Sequence, residues 1–289
     1  MSYSMPARLP RHMSPTSATA LVALGLALVL WVLLRTLIQR RRGGAQRHIV
    51  FAGPCGGGKT HLFTRLVFGS EVQCCTSSKD NEGLVVARWD REGGGKSDSD
   101  AWPPRDVALD RPLLLLDTPG LPSLRARVLA RSVPQASGVV FALDPVGGLT
   151  SSRIRDTADA LHLVLALLDR SRAPIPLLIL LSRADAIAAA SRPAAINRAR
   201  AALEREMERR RAALASGGAR GPTRLDGLGA QAGAALGAED EAEIVANSRV
   251  LEEATAPWSF ADACPQATFA LVGDGEPLDG FWAWADAHR

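Results

Sequence analysis

Gly53-Pro54-Cys55-Gly56-Gly57-Gly58-Lys59-Thr60 is the stretch on which the reading of this chain turns. It fits the spacing G-x-x-x-x-G-K-[ST]. Glycines let successive backbone N–H groups close around a phosphate with no Cβ in the way. A helix starting at the end of the loop adds its own N-terminal N–H groups and the positive end of its dipole. In such a loop Gly53, Cys55, Gly56, Gly57 and Gly58 shape the cradle. Lys59 reaches the β- and γ-phosphates of a nucleotide, and the Thr60 hydroxyl holds Mg²⁺. The chain has only three lysines (59, 79, 96) beside 31 arginines, so a lysine at this position carries weight. A compact ammonium suits the role better than a guanidinium does.

The flanks give the loop its context. His48–Ala52 before it reads as a strand, and Lys59–Phe68 after it as a helix, with Leu62/Leu66 and Phe63/Val67 at i, i+4. Further strands are expected over Gly83–Trp89, Leu113–Leu116, Val139–Leu143, Pro176–Leu181 and Thr268–Val272. Helices are expected over Leu124–Ser132, Ile154–Leu168, Pro193–Ala215 and Leu278–Ala287. Strands alternating with helices predict an α/β fold, a mostly parallel sheet with helices on both faces. Residues 91–104, with three consecutive Gly, Ser, Asp and two Pro, and the Gly/Ala-rich 216–243 read as flexible insertions.

Leu113–Leu116 is apolar throughout, as a strand buried on both faces should be, and it runs into Asp117-Thr118-Pro119-Gly120. This D-x-x-G box puts Asp117 at the sheet edge where ligands bind, facing Mg²⁺, and lets the Gly120 N–H meet a γ-phosphate. Between Lys59 and Asp117 a threonine should clamp Mg²⁺ and sense the γ-phosphate. Thr76 is the candidate, with Ser77 next. After Gly120 come Leu121 and Pro122, neither able to orient a water, so intrinsic hydrolysis should be slow. At the fifth strand's end stands Ser182-Arg183-Ala184-Asp185, where guanine readers carry N-K-x-D. Asp185 takes the guanine donors, Arg183 stands for the lysine, and Ser182 replaces the asparagine. Helix capping by Ser182 and Asp185 is the competing reading. Val272-Gly273-Asp274 lies where the last base-contacting box belongs.

Outside this body, 18–38 is apolar but for Thr19, Arg35 and Thr36. It is long enough to cross a bilayer core of ~30 Å. Five arginines follow Leu34 and two precede the run, which predicts a single spanning helix with its C-terminal side cytosolic. Residues 1–17 then form a tail, 39–47 a basic tether and 48–289 the nucleotide-binding domain. The net charge of +4 sits in the first 48 residues, which hold seven arginines and no acid, leaving the rest with 27 basic against 30 acidic groups. That balance argues against direct nucleic-acid binding. Four cysteines without C-x-x-C spacing exclude a disulfide scaffold or a zinc cluster.

G-P-C-G-G-G-K-T-H-L-F-T-R-L, Q-C-C-T-S-S, D-T-P-G-L-P-S-L-R, V-V-F-A-L-D (139–144), P-L-L-I-L-L-S-R-A-D (176–185), L-E-R-E-M (203–207) and F-W-A-W-A (281–285) together resemble the beta subunits of signal recognition particle receptors. These are Ras/Arf-like domains behind an N-terminal anchor. The resemblance implies GTP and Mg²⁺ as ligands and the endoplasmic reticulum membrane as location. It implies the receptor alpha subunit as partner, with ribosomes and the translocon reached indirectly, and slow turnover in an assembly switch. The chain departs at S-R-A-D and at the last box. A membrane-traffic GTPase of the Arf or Rab type, an organellar GTPase and an ATP-using P-loop protein are the other readings. Of Trp282 and Trp284, two residues apart, at most one should face the core. Cys74 and Cys75 should be small buried residues, and His61 structural.

Overall fold

Short runs of aliphatic residues on either side of the phosphate loop pair into one sheet. In a computed structural model, residue 31 and residues 47–69, 73–75, 77–85, 112–215, 241–246, 248–252 and 255–288 are described. The chain divides into Met1–Gln46, where Trp31 is helical and exposed, and Arg47–Arg289.

The second unit carries β1 (Arg47–Ala52), α1 (Lys59–Phe68), β2 (Asn81–Val85), β3 (Leu113–Asp117), α2 (Pro122–Ser132), β4 (Gly138–Leu143) and α3 (Ile154–Asp169). Then follow β5 (Leu177–Leu181), α4 (Arg192–Ala215), α5 (Phe260–Ala263), β6 (Ala267–Leu271) and α6 (Asp279–Ala287). The strand order is β2-β3-β1-β4-β5-β6, with only β2 antiparallel. Alternation along β1 sorts the core into two layers. Val50 and Ala52 pack with α2, α3 and α4 through Leu129, Leu161, Leu203 and Met207. Ile49 and Phe51 pack on the other face with α1 and α6 through Leu62, Leu66, Phe281 and Trp282. Helices therefore cover both faces, and the strands buried between them are Leu- and Val-rich throughout. The carboxyl ends of β1, β3, β4 and β5 meet at one edge, leaving Gly53, Asp117, Asp144 and Ser182 side by side.

Four expectations change. The spanning helix expected over 18–38 is not supported. Among the described residues no helix is long and apolar enough to cross a membrane, and Trp31 is the only residue of that run described. The long helix α4 is studded with arginine and glutamate, and the apolar α3 has only 16 residues and is buried in the domain. Second, both tryptophans of α6 are buried, Trp282 at 2% and Trp284 at 5% exposure. The reason is that the two rings lie at the edges of one broad buried face of α6, whose opposite face (Asp279, Ala283, Asp286, Ala287) is exposed: Trp282 meets Phe281 edge-on, and the Trp284 ring fills the space above Gly138, where a Cβ would come within 2.6 Å of it. Third, the strand expected over 83–89 begins at Asn81, because its antiparallel register on β3 extends to Asp117, and its described part ends at Val85. Finally, of the stretch 216–243 only residues 241–243 are described, and they begin a helix. Residues 241–246 are helical, and Glu241 is buried against Arg125. Residues 91–104 lie outside the described residues.

Candidate functional site

The phosphate loop is held open by its backbone. Gly53 (φ 137), Gly56 (φ 75) and Gly58 (φ 85) adopt positive φ, the region in which a side chain is strained. Gly53 is also pressed on β4: a Cβ would lie 2.2 Å from the Ala142 carbonyl oxygen. Gly58 leads directly into α1, so the first free N–H groups of that helix face the cradle. Cys55, Gly56, Gly57, Gly58, Lys59, Thr60, Thr118 and Gly120 line a cavity of about 220 Å³.

Lys59 is 5% exposed and its ammonium donates to the carbonyl oxygens of Gly53 (3.0 Å) and Pro54 (2.7 Å). Burial lowers its pKa to about 8, against the pull of the Asp117 carboxylate. Thr60 Oγ1 donates to Asp117 Oδ2 at 2.9 Å. Asn81 Nδ2 donates to the same oxygen at 3.1 Å. Burial pushes the Asp117 carboxyl up, while these two hydrogen bonds draw it down. Its other oxygen, Oδ1, is buried with no hydrogen-bond partner. An orphaned carboxylate oxygen beside a threonine hydroxyl is an oxygen donor set of the kind Mg²⁺ takes. Asn81 was missed from the sequence. Its only signal is register, since it stands directly opposite Asp117 across the β2–β3 ladder.

Gly120 closes the cavity. A Cβ there would lie 2.8 Å from both Cys55 Cα and Lys59 Nζ, so only glycine fits. Thr76 lies outside the described residues, and Ser77 lines the cavity. Cys74 is half-buried and Cys75 exposed, contrary to the expectation that both are buried, because each lines the mouth of the cavity.

The three residues expected at the base divide. Ser182 is buried, and its hydroxyl donates to the carbonyl oxygens of Gly57 (3.1 Å) and Leu143 (3.2 Å). It braces the phosphate loop against β4 and β5. Arg183 takes the left-handed conformation (φ 54) and pairs with Asp144 Oδ2 at 3.2 Å. Asp185 is exposed and accepts the Asp274 N–H at 3.1 Å, which holds its carboxyl below the ordinary carboxylate range. Asp185 and Val272-Gly273-Asp274 therefore stand together, as the spacing anticipated. His61 Nε2 lies 3.1 Å from Asp274 Oδ1. Arg65, also missed, donates from α1 to the Gly273 carbonyl (2.8 Å) and to that of Glu276, fastening the phosphate-loop helix to the 272–276 loop.

A mostly parallel sheet in this order, with the cradle, D-x-x-G and an acidic turn at one edge, defines the class: an α/β protein of the GTPase fold. The family model for the signal recognition particle receptor beta subunit matches residues 44–223, and the chain belongs to that family. The mouse (Mus musculus) receptor subunit beta is 32% identical over 148 residues, covering 51% of this chain and 46% of that protein. The human (Homo sapiens) protein is 32% identical over 146 residues, 50% of this chain and 45% of its own length. The matched region thus spans about half the length of these curated relatives. The structure of the mammalian SRP receptor aligns at a TM-score of 0.56 and 21% identity, over 84% of this chain and all of that one, which establishes the fold.

Proposed function

We propose that the chain is a guanine-nucleotide-binding subunit that docks the receptor's alpha subunit at the endoplasmic reticulum membrane, in a manner gated by GTP, during co-translational targeting. The observation that carries this reading is the Lys59–Thr60–Asp117 constellation under a glycine cradle in a chain of this family. Lys59 binds and neutralises the β- and γ-phosphates, and Gly56–Lys59 N–H groups wrap them. Thr60 and Asp117, with Thr76 as the third candidate, hold Mg²⁺, which neutralises phosphate charge when bound. The Gly120 N–H reports the γ-phosphate. Asp185 accepts from the base, Arg183 lies over it, and Ser182 keeps the cradle in place.

A γ-phosphate that orders the Gly120 turn and the 73–77 segment creates a surface missing in the diphosphate state. A partner selecting that surface reads nucleotide state without hydrolysis. Leu121 and Pro122 supply no group to orient a water, which fits a switch of slow turnover. The test is capture of the alpha subunit's N-terminal domain by this chain loaded with a non-hydrolysable GTP analogue or with GDP. Retention at least about tenfold greater with the triphosphate is expected, equivalent to a coupling near 1.4 kcal/mol. Equal retention would remove the gating.

A further inference from the structure

Beside the cradle stands a cation that the fold does not use. Arg153 precedes α3 and is exposed, and its Nη1 lies 3.8 Å from where a Cβ on Gly56 would sit. It lines a narrow cleft with Cys55, Gly56, Gly57, Asp144 and Asp156. The two carboxylates in that cleft are engaged elsewhere. Asp144 accepts the Val146 and Gly147 N–H groups at Oδ1 and pairs through Oδ2 with Arg183. Asp156 pairs with the buried Arg125 at 3.0 Å. Among the described residues the Arg153 guanidinium has no hydrogen bond or ion pair.

We infer that Arg153 is a phosphate-binding residue acting in cis: its guanidinium folds over Gly56 onto the β-phosphate of a bound nucleotide. Three points favour a phosphate over a solvated surface charge. Arg153 lines a cleft that shares Cys55, Gly56 and Gly57 with the phosphate cavity, and Gly56 has no side chain to block the guanidinium from swinging over the loop between them. Gly56 and Gly57 present backbone to the same anion from the other side. A guanidinium offers planar paired donors that match phosphate oxygens, and it keeps its charge over the whole physiological range. The contact adds a second cation to Lys59 and lies on the β-phosphate, so it serves GDP and GTP alike and retains nucleotide through the cycle.

This inference rests on the guanine-nucleotide reading above, and the experiment separates the two. The full-length chain in mild detergent, its Arg153→Ala and Arg153→Lys variants and Lys59→Ala are stripped of nucleotide and titrated with fluorescent GDP, GTP and GMP. Arg153→Ala should weaken GDP and GTP by about tenfold each, as loss of one charged hydrogen bond does. GMP binding should be unchanged, Arg153→Lys should recover most of the loss, and the nucleotide-free melting temperature should not move. Unchanged GDP and GTP affinity in Arg153→Ala, with Lys59→Ala clearly weakened, would overturn the inference and leave the site reading standing. A loss that tracks a lowered melting temperature, and that lysine does not rescue, would also overturn it, making Arg153 structural. Wild type that binds none of the three would overturn both.

Discussion

Lys59 spends its charge on two carbonyl oxygens of its own loop, in a site dry enough to lower its pKa to about 8 from 10.5. Two consequences of opposite sign follow. In the nucleotide-free protein the ammonium is lost as pH rises through about 8, so affinity for phosphate falls there. Folding itself gains between pH 8 and 10.5, because over that window the unfolded chain binds this proton and the folded chain does not. Titration with GDP should show affinity dropping about fourfold between roughly pH 7 and pH 8.5. A flat profile would mean that Lys59 is not the phosphate cation. Much of this residue-level picture was legible in the sequence, because Lys59, Thr60 and Asp117 stand in motifs whose spacing encodes contacts. Asn81 was not, since its role comes from strand register across a separation of 36 residues. Ser182 was legible as a position but not as a role. A short hydroxyl at the end of β5 reaches backbone carbonyls rather than a base.

Between elements, a buried ion cluster joins parts of the fold that sequence distance keeps apart. Arg125 on α2, five residues after Gly120, is 2% exposed. It donates through Nε (3.2 Å) and Nη2 (2.8 Å) to the Glu241 carboxylate and through Nη1 to Asp156 at the start of α3. The helix that follows D-x-x-G is thereby fixed to α3 and to the 241–246 segment at once. Arg125→Ala should leave Glu241 buried and unpaired and cost about 3–5 kcal/mol, measured by urea unfolding. A cost under about 1 kcal/mol would mean that the pair is solvated. No periodicity announces such a tie. Glu241 sits at the end of an Ala- and Gly-rich run, so composition reads it as part of an insertion. The strands other than β2 and the main helices, by contrast, were legible to within a residue or two, because continuous apolar runs and i, i+4 repeats report burial directly. Trp282 and Trp284 were misjudged for the reverse reason. Helical phase separates them by about 200° one way and about 160° the other, so one broad buried face takes in both at its edges, with Phe281 and Ala285 between them and Asp279, Ala283 and Asp286 exposed opposite.

At the scale of the molecule, one sheet edge gathers everything the proposed switch needs. The cradle comes from β1, the Asp117 carboxylate from β3, the Asp144–Arg183 pair from the ends of β4 and β5, and the Asp185 carboxylate from the turn after β5. Arg65 on α1 ties the 273–276 loop to the phosphate-loop helix through the Gly273 and Glu276 carbonyls. This gathering follows from topology: the five parallel strands, in the order β3-β1-β4-β5-β6, must place their carboxyl ends together. The expected membrane span is one part of the reading that the described structure does not bear out, and it rested on hydropathy in 18–38 and the arginines flanking it. The central claim is that this edge holds a guanine nucleotide. Its most direct test is to purify the full-length chain beside Lys59→Ala, denature both, and separate any released nucleotide by ion exchange. GTP or GDP from wild type and none from the variant is the expected result. ATP from wild type, or no nucleotide from either protein, would contradict it.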